Sequence, residues 1–201
     1  MVRLTLATHN HHKVVEFRRL LAPFGLTVDA LAAEVALPPE DGDSYGANAL
    51  IKARAAALQL GRAVLADDSG IEAAALGGRP GVRSARYAGE SAADEDNLHR
   101  LIAEVPAGGD LRYVCVVAFV DGHGERLFRG ECVGRMQSVP RGTGGFGYDP
   151  VFAPAQHPGS TMAELAGEQK DAISHRANAV RGFARWYLES GPGSACSADG
   201  R

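Results

Sequence analysis

The stretch Ala66-Asp67-Asp68-Ser69-Gly70 sets two adjacent carboxylates and a hydroxyl directly behind the apolar run 63–66. Neighbouring carboxylates repel, and a site that keeps both usually supplies a cation. A hard ion such as Mg²⁺ takes carboxylate, water and phosphate oxygens. The same residues are good turn formers, so taken alone they also fit a plain turn that ends a strand. In α/β sheets ligands bind beyond the carboxyl ends of strands, which is where this reading puts Asp67, Asp68 and Ser69.

A second stretch, Thr8-His9-Asn10-His11-His12-Lys13, also lies between an expected strand and an expected helix. A hydroxyl, an amide, an ammonium and the N–H groups of a helix start suit a phosphate. An ordinary cap with a solvated lysine fits equally well. His9, His11 and His12 read as exposed loop residues, because neighbouring histidines in one loop rarely converge on a metal. Further along, Lys170, His175 and Arg176 cluster around Ser174, which could cap the next helix. This is anion chemistry again, or else a solvated helix start with a structural His175. Lys52 and Arg54 interrupt an apolar helical pattern, as its wet face or as further cations. Glu40, Asp41 and Asp43 form an acidic loop that serves solvation or lends a metal ligand.

Residues 142–147, Gly-Thr-Gly-Gly-Phe-Gly, have the spacing G-x-G-x-x-G. That fingerprint binds a dinucleotide only where a strand runs in and a helix starts. Here Pro150 follows closely and disfavours helix in the residue before it, so NAD and FAD drop out. No G-x-x-x-x-G-K-[ST] sequence and no nucleophile elbow occurs. Hard-cation carboxylates with dispersed cations suit hydrolysis or transfer at a polyphosphate.

The elements that must carry these residues follow from periodicity. Residues 2–7 alternate as a strand, and 14–25 form a helix with Val14, Phe17, Leu20 and Leu21 on one face, stopped by Pro23 and Gly25. After the loop 37–44, an alanine-rich helix spans 45–61 and a short strand spans 63–66, stopping at Asp67. Residues 76–89 read as a polar glycine- and arginine-rich connection. A helix with an acidic first turn spans 94–105. Residues 111–121 and 126–136 form a β-hairpin. Residues 161–165 and 174–190 are helical, and the small, polar tail 191–201 is expected to be disordered. Helices and strands interleave around a central hairpin, which predicts an α/β fold with a mixed sheet.

The 201 residues suffice for one domain, expected over 1–190, with a sizeable core. A net charge of −3 gives no electrostatic push toward nucleic acid or an anionic membrane. Cys115 and Cys132 sit in β-rich apolar stretches and read as reduced core residues. The N-terminus does not resemble a signal peptide, and no apolar run approaches a membrane span. A cytoplasmic protein is expected.

Residues 8–13, 66–70, 76–89, 142–150 and 170–176 occur in the order and spacing of the inosine triphosphate pyrophosphatase family, which the chain resembles from about Val2 to Tyr187. Bacterial members of that family clear XTP and dITP. The resemblance implies a Mg²⁺-dependent hydrolase that splits a nucleoside triphosphate into monophosphate and pyrophosphate. It also implies an elongated mixed sheet with flanking helices, two lobes around a central cleft, and a homodimer. By the same resemblance Thr8 to Lys13 would bind phosphate. Asp68 would ligate Mg²⁺ and accept the proton of the attacking water, beside Ser69 on the substrate. Phe146, Gly147, Tyr148 and Asp149 would hold the base. Lys170, His175 and Arg176 would also bind substrate, with Lys52 a further candidate on the triphosphate. Glu40 matches the acidic loop that supplies a second metal ligand.

Two positions depart from the family pattern. Ala47-Asn48-Ala49 stands where Glu-Asn-Ala is common, which shifts the ion onto Glu40 or leaves it and the water to Asp67 and Asp68. His9 stands where glycine is common. The rival readings are a pyrophosphatase for modified pyrimidine nucleotides and a non-catalytic nucleotide sensor, the latter hinted at by Ala47.

Overall fold

The computed structural model describes residues 2–192, so the expectation for the tail falls mostly on residues outside it. Six strands form one mixed sheet in the order β2-β1-β3-β4-β5-β6. They are β1 (Val2–Leu6), β2 (Leu26–Ala30), β3 (Val64–Ala73), β4 (Asp110–Asp121), β5 (Gly124–Met136) and β6 (Phe152–Pro154). The helices are α1 (His11–Leu21), α2 (Tyr45–Leu60), α3 (Asp94–Glu104), α4 (Gly167–Ile173) and α5 (His175–Glu189). β1 pairs in parallel with both β2 and β3, whereas β5 and β6 are antiparallel. Two residues join β4 to β5, so this pair is a hairpin. Asp121 closes its turn by accepting from the N–H groups of His123 and Gly124. Among the described residues no helix is long and apolar enough to cross a membrane.

The chain divides into two compact units, Met1–Asp68 with Val116–Gly130 and Ala177–Arg201, and Ser69–Cys115 with Glu131–Arg176. In the first unit α2 buries Ala49, Ala53 and Ala56 against Ala7, Val64, Ala66 and Ala118. Methyl-sized side chains on the helix and on β3 let backbone lie close to backbone. An aromatic group of Phe119, Phe128, Phe183, Trp186 and Tyr187 packs the α5 side, with Phe119 and Phe183 centroids 5.7 Å apart. In the second unit Ile71, Leu98, Leu101, Leu111, Tyr113, Phe152 and Met162 form the core. Cys115 and Cys132 are buried as expected. Burial and the nearby Asp149 charge push the Cys132 thiol up to about 12, so it stays protonated.

Several expected boundaries are corrected. α1 starts at His11, three residues earlier than periodicity suggested, because the Asn10 side chain caps it by accepting from Lys13 N at 3.3 Å. The helix ends at Leu21, before the turn containing Pro23, and Gly25 follows at φ 69°. β3 does not stop at Asp67 but runs on to Ala73, through Asp67, Asp68, Ser69 and Gly70. Aspartate, serine and glycine have low strand propensity, and here burial and ladder pairing override it. Gly70 is not a turn residue. A Cβ there would lie 2.4 Å from both the Gly81 carbonyl oxygen and Ser84 Oγ. Ser84 also accepts from Ile71 N at 2.8 Å, so the connection 76–89 is partly core, with Ser84 and Tyr87 buried. β2, β6 and α4 are additions to the expected elements. Each has seven residues or fewer, too short for a periodic signal.

Phe183 has no exposed surface. Phe183→Ala is expected to cost about 3–5 kcal/mol by opening a cavity among the rings, read as a lowered midpoint in urea unfolding.

Candidate active site

Asp67 and Asp68 lie in the middle of β3, with 0% and 5% of their surface exposed. Successive side chains of a strand leave on opposite faces, so the two carboxylates do not act as one chelating pair. Asp67 Oδ2 meets Lys13 Nζ at 3.0 Å, from the first turn of α1. Asp68 Oδ2 accepts from Asn48 Nδ2 at 3.0 Å, from α2. One turn further along α2, Lys52 donates to Glu40 Oε1 at 2.5 Å and to the Asp67 carbonyl oxygen at 2.7 Å. Only 4% of Lys52 is exposed, so it is not on the wet face of α2. Arg54 is on that face, where it pairs with Glu125.

The electrostatics follow from this packing. Burial raises the Asp68 carboxyl above the usual range, and the Glu40 charge adds to the rise. Lys52, Lys13 and the Asn48 hydrogen bond oppose it. For Lys52, burial works against the ammonium, but Asp67, Glu40 and Asp68 outweigh it and hold the group above its usual value. A carboxylate with raised basicity beside fixed cations is suited to accept a proton from water.

Thr8 is buried and its Oγ1 accepts from Asn10 N at 3.1 Å. Both side chains therefore shape the start of α1. His9, His11 and His12 are exposed, the latter two within the helix rather than a loop.

The second unit holds the other group of expected residues. The loop 142–149 is followed by a single 3-10 turn at Asp149–Val151 and then by β6, so the flank of a dinucleotide loop is absent there. Asp149 Oδ2 accepts from Lys170 Nζ at 2.8 Å and from Phe146 N at 3.2 Å. Gly145 (φ 75°) permits this, since a Cβ there would fall 1.9 Å from Asp149 Oδ2. The half-buried Phe146 ring has Lys170 Nζ at 5.5 Å and Arg176 Cζ at 5.6 Å from its centroid. Arg176 also donates to Ser69 Oγ at 2.9 Å. Lys170, His175 and Arg176 are all buried, which removes the alternative of a solvated helix start. The Tyr148 hydroxyl donates to the Ser84 carbonyl at 2.7 Å, so this side chain anchors the loop to the core.

Two residues of these clusters carried no signal of their own. Asn48 reads as one more position of an alanine-rich helix, although its i, i+4 relation to Lys52 puts both on one face. It also accepts from Gly42 N at 2.8 Å, which ties the acidic loop to α2. Tyr113 reads as a strand residue, yet its hydroxyl lies 3.1 Å from Asp149 Oδ1.

Among the described residues no three His, Cys, Asp or Glu side chains converge as a metal cage. Mg²⁺ does not require one, because it commonly binds through one or two carboxylates plus phosphate and water oxygens. The donor set here fits that pattern. Glu40 and Asp68 are the two carboxylates that fit it; counting Asp67, which is paired with Lys13, three carboxylates face the two ammonium groups of Lys13 and Lys52, leaving one net negative charge when all are ionised.

The chain spans nearly the full length of similar proteins. It is 52% identical over 183 residues to the dITP/XTP pyrophosphatase of Symbiobacterium thermophilum, covering 89% of this chain and 91% of that protein. It is 44% identical to the dITP/XTP pyrophosphatase of Geobacillus kaustophilus, covering 90% and 91%. The solved HAM1 protein from Coxiella burnetii superposes with a TM-score of 0.84 at 35% identity, covering 94% of this chain and all of the other. The family model described as the Ham1 family matches residues 4–186, and the chain belongs to that family.

Proposed function

We infer that this chain hydrolyses non-canonical purine nucleoside triphosphates, dITP, XTP and ITP, to the monophosphate and pyrophosphate. The observation that carries this reading is the buried acid cluster of β3, with Asp68 held by Asn48 beside Lys52 and Glu40. Relatives at 44–52% identity named dITP/XTP pyrophosphatase support the substrate class. They favour purine over modified pyrimidine nucleotides. An intact acid cluster with its lysines favours turnover over a non-catalytic sensor. The protein works as a cytoplasmic homodimer without a nucleic-acid partner.

Asp68 and Glu40 are the residues that would hold a divalent ion, Mg²⁺ in this reading. When bound, the ion supplies charge neutralisation at the phosphates and acidifies coordinated water. Asn48 orients the Asp68 carboxylate, which takes a proton from the attacking water as the new bond to the α-phosphorus forms. The bond from that phosphorus to the bridging oxygen breaks, and the electron pair leaves on pyrophosphate. Lys13, Lys52, Lys170 and Arg176 spread the developing negative charge. Asp67 serves by holding Lys13 in place rather than by chelation, and Thr8 to His12 shape the helix start that receives phosphate. Phe146 stacks on the purine, next to Gly147 and Asp149. His175 and Arg176 read the 6-oxo edge, where the 6-amino group of adenine would leave donors facing donors.

Pyrophosphate release assayed with dITP, XTP, ITP, dUTP and the four common deoxynucleotides is expected to favour the first three strongly. Comparable turnover of dUTP or dATP would refute the assignment. Asp68→Asn is expected to lower kcat at least about a hundredfold, the loss of about 2.7–4 kcal/mol that follows removal of one well-placed electrostatic contact, while circular dichroism stays native. Chelation by EDTA is expected to abolish turnover and added Mg²⁺ to restore it.

A further inference from the structure

Strand β4 carries one polar group into the second cluster that its sequence gives no reason to expect. Tyr113 is buried, with its ring stacked on His175 at a centroid distance of 4.6 Å and an interplanar angle of 12°. On another side it packs at 4.4 Å on Phe152. Its hydroxyl donates to Asp149 Oδ1, the oxygen opposite the one shared by Lys170 and Phe146 N. One side chain thus touches both parts of the cluster. Through Asp149 it reaches the loop that presents Phe146, and through His175 it reaches the start of α5.

We propose that Tyr113 is a positioning residue for purine recognition, setting the plane of the His175 ring and the orientation of the Asp149 carboxylate. A buried carboxylate with three donors has few alternative orientations. Removing the donor on Oδ1 lets it rotate, and Lys170 and the Phe146 backbone move with it. Burial and the Asp149 charge push the Tyr113 phenol well above its usual value. The hydroxyl is therefore always protonated and always the donor. Its neighbour Arg112 points elsewhere, into half-buried ion pairs with Glu72 and Glu131.

This inference rests on the base-reading role assigned above to His175, Phe146 and Asp149, and the test separates the two. Tyr113→Phe keeps the ring and deletes the hydroxyl, whereas Tyr113→Leu removes the stacking surface as well. For each variant, kcat and KM for dITP, the dITP/dATP preference, the Kd for inosine monophosphate and the Tm are measured. Tyr113→Phe is expected to raise KM and Kd about tenfold, the scale of one lost hydrogen bond to a buried charged group, with a smaller fall in kcat through the displaced Lys170. Tyr113→Leu is expected to narrow the dITP/dATP preference as well. A lowered Tm with unchanged KM and Kd in whichever variant folds would mean a purely structural residue and would overturn the proposal. A wild-type protein that binds inosine monophosphate without hydrolysing dITP sinks the hydrolase reading, and the Kd series then decides Tyr113. A wild type that does neither overturns both.

Discussion

Asp67 and Asp68 sit in the middle of a strand, and the surrounding structure has to make their burial tolerable. Moving a carboxylate out of water costs several kcal/mol unless charge and hydrogen bonds return most of it. The compensation comes from two helices. α1 begins early enough to put Lys13 against Asp67, and α2 carries Asn48 and Lys52 on one face. The alanines of α2 have a part in this. Methyl-sized side chains on that face let the helix lie close enough for the Asn48 amide to reach the Asp68 carboxylate and the Lys52 ammonium to reach the Asp67 carbonyl.

The second unit solves the same problem with different residues. Asp149 is as buried as Asp68, and it is held by Lys170 with the neutral donors Tyr113 and Phe146 N, as Asp68 is held by the Asn48 amide with the Lys52 charge nearby. In each case the lysine supplies charge and the neutral group supplies direction. An ion pair by itself leaves a carboxylate able to swivel, while a directional N–H or O–H donor does not. The two carboxylates therefore share a way of being made rigid.

Helices and the hairpin were legible in the sequence because each repeats its period over ten or more residues. The five candidate stretches were legible as well, since polar residues gathered in short runs stand out against an apolar background. β3 was legible only in its apolar first residues, because the polar run that follows does not look like a strand. Asp-Asp-Ser-Gly at the centre of a strand runs against strand propensity; β1 pairs only with Val64 and Leu65, and on its other side β3 neighbours β4. Burial of Lys52, His175 and Arg176 was equally hidden, because composition assigns charged groups to water. Asn48 lies among alanines and Tyr113 in an otherwise ordinary strand pattern, and such a residue gains meaning only from what lies across the fold.

The loop that presents Phe146 closes on itself. Its Asp149 carboxylate accepts from the N–H of Phe146, three residues back, and Gly145 leaves the space that this needs. The ring so formed is held from outside by Lys170, Tyr113 and the Tyr148 hydroxyl. The conformational entropy of this segment is thus surrendered when the chain folds, not when a ligand arrives. A preorganised aromatic platform of this kind gives a planar ring more of its contact energy as affinity. It also makes the loop intolerant of side chains. A Cβ at Gly142 or Gly144 would run into the Ala163 backbone and Gly147 turns at φ 60°, so the spacing that imitates a cofactor fingerprint is set by packing and backbone turns, while the closure itself needs Gly145, which lies outside that spacing.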